Sequence, residues 1–122
     1  MNSRLIDKLK RLALDSAQPE TGRYRIAAAV LDRKGKILAT GTNSYVKTHP
    51  LQAEYAKKTG NGHRHWLHAE IAALVKVKNG LPAKIVVVRV GNAGELRLAK
   101  PCSVCEMAIK QAGIESIEYT VG

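Results

Sequence analysis

Lys84-Ile85-Val86-Val87-Val88-Arg89-Val90 is the stretch that decides the architecture. Its apolar character is nearly continuous rather than alternating, which predicts a strand over Lys84 to Val90 buried on both faces and therefore central in a sheet covered on two sides. Downstream, a polar excursion from Gly91 to Leu98 leads to Pro101, and a helix is expected from Cys102 to about Gln111, stopped by Gly113. Ile114 to Val121 then closes as a last strand.

Upstream, Ile71, Ala72, Leu74 and Val75 predict a helix over His68 to Lys78, ended by Asn79-Gly80 and Pro82. Tyr24 to Asp32 and Lys36 to Thr42 read as two strands joined at Lys34-Gly35 in a hairpin. Ala27, Ala28 and Ala29 leave space over one face of the sheet, either for a substrate pocket or for close helix packing. The N-terminal apolar stripe Leu5, Ile6, Leu9, Leu12 and Ala13 predicts a sheet-covering helix with Ser3 as its N-cap. Asn43 to Leu67 is a long connection with a short helix expected over Leu51 to Lys58, and connections of this length tend to be functional.

Composition bounds what such a chain can do. Its 122 residues suffice for one packed core, so residues 1–122 are expected to form one domain. Charges at Arg4, Asp7, Lys8, Lys10 and Arg11 interrupt the N-terminal apolar positions, and no run approaches membrane-spanning length, so a cytoplasmic protein without membrane contact is expected. Twenty Lys and Arg against ten Asp and Glu give a net charge of +10, which suits an anionic partner such as a nucleotide phosphate or a polynucleotide, or else a solvated basic surface. With no Phe and one Trp, the chain is poor in the stacking side chains that single-stranded nucleic acid requires.

Both cysteines lie in Pro101-Cys102-Ser103-Val104-Cys105, and His68-Ala69-Glu70 stands ahead of them. Alone, the Cys-x-x-Cys could be a redox dithiol or half of a structural zinc site closed by His49, His63 or His65. Taken with His68, the two thiolates make three ligands for a metal that prefers four, which leaves one position for water. Glu70, two residues from a ligand, is then placed to move that water's proton.

The His-x-Glu and Pro-Cys-x-x-Cys pair is the signature of zinc deaminases, and from about Tyr24 to Val121 the chain resembles the cytidine/deoxycytidylate deaminase superfamily. The segment Ala39-Thr40-Gly41-Thr42-Asn43 ahead of the motif carries the same likeness. The resemblance implies an α/β/α sandwich with a mixed sheet of order 2-1-3-4, counting strands along the chain. It further implies one catalytic Zn²⁺ per chain on His68, Cys102 and Cys105, with Glu70 as proton shuttle and the Ala69 backbone N–H donating to a base carbonyl. Asn43 would touch sugar or base at the pocket edge, although a turn residue after a strand is an alternative reading.

The implied reaction is hydrolytic removal of an amino group from a nucleobase, with deoxycytidylate favoured over cytidine because of basic residues near the motif. Lys57, Lys58, Arg64 and Arg97 are candidate phosphate contacts. A base within RNA or DNA and a catalytically silent zinc- or partner-binding module are the alternatives. His63 and His65 occupy a region where some relatives hold a second zinc, and that second metal is not expected here. Many relatives continue beyond the position of Gly122, so substrate contacts from that region are expected to be absent or to come from a partner subunit. A homo-oligomer follows from the resemblance alone.

Overall fold

Alternation along two central strands sets the layers. The computed structural model describes residues 3–15, 25–43, 49–58, 60, 68–91 and 93–121. In chain order the elements are α1 (Ser3–Asp15), β1 (Arg25–Leu31), β2 (Ile37–Thr42), α2 (Pro50–Lys58), α3 (Ala69–Leu74), β3 (Lys84–Val90), β4 (Leu96–Arg97), α4 (Ser103–Gln111) and β5 (Ser116–Tyr119).

β1 pairs antiparallel with β2 on one side and with β3 on the other, so the hairpin and the valine strand share β1. The far side of β3 carries β5 in parallel register over Lys84 to Val87 and β4 antiparallel at Arg89 and Val90. The expected order 2-1-3-4 is therefore realised as β2-β1-β3-β5, with β4 added beside β3 beyond the stretch that β5 occupies. β4 had no signature in the sequence, because its two residues are exposed and its ladder to β3 covers only Leu96 and Arg97.

Successive side chains of a strand point to opposite faces. Ala27, Ala29 and Leu31 with Val86, Val88 and Val90 face α1, where Leu9 and Ala13 are fully buried. Ala28 and Val30 with Ile85 and Val87 face the opposite layer, packing with Ala69 and Ala73 of α3 and Ile109 of α4. This is a three-layer α/β/α sandwich. The alanines of β1 serve close helix packing, which answers the question their size raised. Gly41 on β2 continues that close approach: a β-carbon there would fall within 2.8 Å of the α3 backbone at Ala69 and Ala72.

The hairpin turn is built by Asp32, whose Oδ1 accepts from the amides of Lys34 and Lys36, with Gly35 at φ +86°. Two helix ends differ from expectation. Ser3 lies inside α1 as its first residue rather than ahead of it as a cap. α3 stops at Leu74, four residues short, because the amides of Lys76 and Val77 reach back only three residues, to Ala73 and Leu74. Val77 still packs on the core, so the apolar pattern continued past the helix. Among the described residues no helix is long and apolar enough to cross a membrane.

Candidate active site

Two helix starts bring the metal-binding side chains together. His68 precedes α3 and Cys102 precedes α4, each with extended backbone (φ −87°, ψ 155° and φ −73°, ψ 171°). Each carbonyl accepts the opening helical hydrogen bond, from Ala72 N to His68 O at 2.9 Å and from Glu106 N to Cys102 O at 2.8 Å. The side chains of these two residues are thereby directed out of the helix ends, and neither caps its own helix. Cys105, one turn into α4, returns to the same spot.

His68 Nδ1 lies 3.2 Å from Cys105 Sγ and 3.6 Å from Cys102 Sγ. All three donor atoms fall within 4.8 Å of one another. A nitrogen about 2.0 Å and a sulfur about 2.3 Å from one tetrahedral zinc would stand roughly 3.5 Å apart, so the observed spacings fit that ion. The thiols are poised for it. A hydrogen bond from Cys105 pulls the Cys102 thiol down to about 3 against the opposing effect of burial. The same hydrogen bond, with burial and the neighbouring Glu70 carboxyl, pushes the Cys105 thiol well up. One thiolate forms readily and the second is held back by the first, a penalty that a divalent cation removes.

Glu70 is buried with 5% of its surface exposed, in the first turn of α3. Burial pushes its carboxyl above the ordinary value, while its backbone hydrogen bond and His68 pull the other way. Ala69, between the two, is fully buried, and its amide precedes the first intrahelical hydrogen bond, the position at which a helix has donors to spare. Behind these groups Ile71, Val104, Cys105 and Ala108 form an apolar cluster, with Leu51 of α2 and Cys102 packed on it.

The remaining expected contacts divide. Asn43 Oδ1 accepts from Ile26 N at 3.0 Å, and Asn43 N donates to Ile26 O at 3.2 Å, so the residue extends the hairpin ladder past the end of β2. Lys57 and Lys58 are exposed at the end of α2, where Lys58 pairs with Glu54 at 3.1 Å. Arg97 is held by Glu95 through Nε and Nη2 at 3.2 and 3.0 Å. Arg64, with His63 and His65, lies outside the described residues. His49 does not join the metal group; its Nδ1 accepts from Leu51 N at the start of α2. Sequence reasoning missed Gln52, fully buried on α2, whose Oε1 accepts from His68 N at 3.2 Å.

Comparison with known proteins follows the same lines. The family described as "cytidine and deoxycytidylate deaminase zinc-binding region" matches residues 2–121. The chain belongs to this deaminase family. It is therefore a zinc-binding deaminase domain, and His68, Cys102 and Cys105 are the group positioned to bind the ion. Cytidine deaminase from Mycobacterium tuberculosis is 18% identical with a TM-score of 0.60, the match covering 98% of this chain and 85% of that one. Cytidine deaminase from Burkholderia pseudomallei is 20% identical with a TM-score of 0.62, covering 98% and 82%. Guanine deaminase from Bacillus subtilis is 17% identical with a TM-score of 0.54, covering 99% and 65%. At these identities the likeness establishes the deaminase fold. No curated protein sequence matches the chain.

Proposed function

We propose that this deaminase converts a free cytosine nucleoside or nucleotide to its uracil form with release of ammonia, deoxycytidylate ahead of cytidine. The observation that carries the reading is Glu70, a carboxyl buried beside three metal-binding side chains and pushed upward by that burial. A structural zinc site has no need of such a group.

Zinc, when bound by His68, Cys102 and Cys105, supplies polarisation of a water so that it can act as a nucleophile near neutral pH. Glu70 takes the proton this water loses and delivers it to ring N3 as the C4–O bond forms. It then carries the second proton to the amino nitrogen, the C4–N bond breaks, and ammonia departs. A carboxyl raised by burial suits this shuttle, because it holds a proton more firmly than a solvated carboxylate does between the two transfers. The Ala69 amide donates to the base carbonyl and fixes the ring edge-on to Glu70. Asn43, whose Oδ1 accepts from the Ile26 amide, is the residue assigned to sugar or base in this reading.

The phosphate preference is supported by the +10 charge and by Lys57, Lys58, Arg64 and Arg97, of which Lys58 and Arg97 already hold carboxylates. Ammonia release by the zinc-loaded protein on cytidine, deoxycytidine, their monophosphates, adenosine, guanine and a cytosine-containing single strand tests the reading. Turnover of a cytosine monomer is expected, faster with the 5′-phosphate. Turnover of a purine alone or of the strand alone overturns it.

A further inference from the structure

Three buried polar or charged residues stand out among the described residues: Gln52, Glu70 and Thr120. Thr120 has a structural occupation, since its Oγ1 accepts from Arg89 N and donates to Arg97 O, joining β3 to β4. Glu70 is the carboxyl of the reaction proposed above. Gln52 is accounted for by neither.

Burying a carboxamide is costly unless it is hydrogen-bonded, so what Gln52 bonds to bears on its presence. Its Oε1 accepts from the amide of His68, the N-cap residue of α3. In a capping box, a Glu or Gln three residues into the helix reaches back to the N-cap amide, while the N-cap side chain caps the helix in return. α3 cannot do this for itself. The residue three positions in is Ile71, and the His68 side chain is turned to the thiols instead. Gln52 supplies the missing half from another helix, sixteen residues earlier in the chain. α2 is held in place for the purpose, with Leu51 packed on the cluster of Ile71, Val104, Cys105 and Ala108.

We infer that Gln52 is a positioning residue for the metal centre: by accepting from the His68 amide it fixes the backbone from which the imidazole reaches the ion and Glu70 reaches the water. The inference rests on the zinc reading of His68, Cys102 and Cys105, and it makes the segment before the motif part of the metal's support. Partners that orient a ligand typically matter ten- to a hundredfold in metal affinity or activity.

The test compares Gln52→Met, which keeps the volume and removes the acceptor, with Gln52→Glu, which keeps an acceptor. The readouts are Zn²⁺ affinity by chelator competition and the visible spectrum of the Co²⁺-substituted protein, neither of which depends on the substrate being cytosine. Gln52→Met is expected to bind Zn²⁺ about tenfold more weakly or worse and to shift the Co²⁺ bands. Gln52→Glu should restore both. Wild-type affinity and spectrum in Gln52→Met overturn the inference, as does Gln52→Glu falling as far as Gln52→Met. Should Gln52→Met fail to fold, Gln52→Glu decides alone, since a displaced Co²⁺ spectrum in that variant contradicts a role through the acceptor. Loss of metal binding in wild type would instead sink the zinc reading itself.

Discussion

A β-carbon on Gly41 would lie 2.5 Å from the backbone nitrogen of Ala73. β2 and α3 are thus in backbone contact at the helix that carries Glu70 and follows His68. Since the colliding atoms are main chain, no rotamer change relieves them. Gly41→Ala should cost about 3 kcal/mol in thermal or denaturant unfolding, at the upper end of overpacking substitutions, and weaken zinc binding as α3 is pushed off the sheet. Unchanged stability and metal affinity would show that α3 is not seated by this contact.

Glu70→Gln removes the proton carrier and keeps the shape. Deamination is expected to fall by about 10²–10⁴-fold with zinc still bound one to one. Full activity would exclude Glu70 from the chemistry. The same variant carries a pH signature in chelator-treated protein. Because burial raises the folded Glu70 carboxyl above its ordinary 4.5, its stability is complete below that value and declines as pH rises through the folded value. A glutamine cannot ionise, so the stability of Glu70→Gln relative to wild type should rise as pH increases from 4.5 through the folded value.

Cys102→Ser takes away the thiol that ionises most readily in the metal-free pair. Zinc affinity should fall by more than the roughly 10–100-fold associated with a supporting partner. Metal analysis after dialysis reads this directly, and retention of stoichiometric zinc would remove Cys102 from the ligand set.

Lys84 and Glu118 join β3 to β5 across 2.6 Å, both side chains about one-third exposed (34% and 32%). Lys84 holds the Glu118 carboxyl below its ordinary 4.5. A double-mutant cycle with Lys84→Met and Glu118→Gln should give about 0.5 kcal/mol of coupling at neutral pH. The sign follows from a lowered carboxyl: the coupling is present above 4.5 and disappears as pH falls through the folded value. Coupling that survives at low pH would show a contact of another kind.

Much of the architecture was legible because it rests on local pattern. The valine run of β3, the hairpin around Lys34-Gly35 and the apolar stripe of α1 each carry their period in a short window. The metal-binding group was legible for a chemical reason, as thiolate and imidazole spacing is tightly constrained. The misread parts depend on distant neighbours. α3 was drawn too long because Val75 and Val77 prolong an apolar pattern that the backbone leaves at Leu74. Gln52 carries no local mark of its role, because the amide it accepts from lies sixteen residues along the chain. Positive charge was readable at Lys58 and Arg97, yet Lys58 pairs with Glu54 one helical turn away and Arg97 with Glu95 two residues away, which limits what they can offer a phosphate.

His68 and Cys102 are separated by 34 residues, and the segment between them contains α3, β3 and β4. An ion gripping both ends closes that segment into a ring with the central strand threaded inside the sheet. Ring closure restricts an unfolded chain as well as a folded one, and its entropic weight grows only slowly with length. Metal held by these residues would therefore add a closure that spans α3, β3 and β4 to the constraints of the backbone itself.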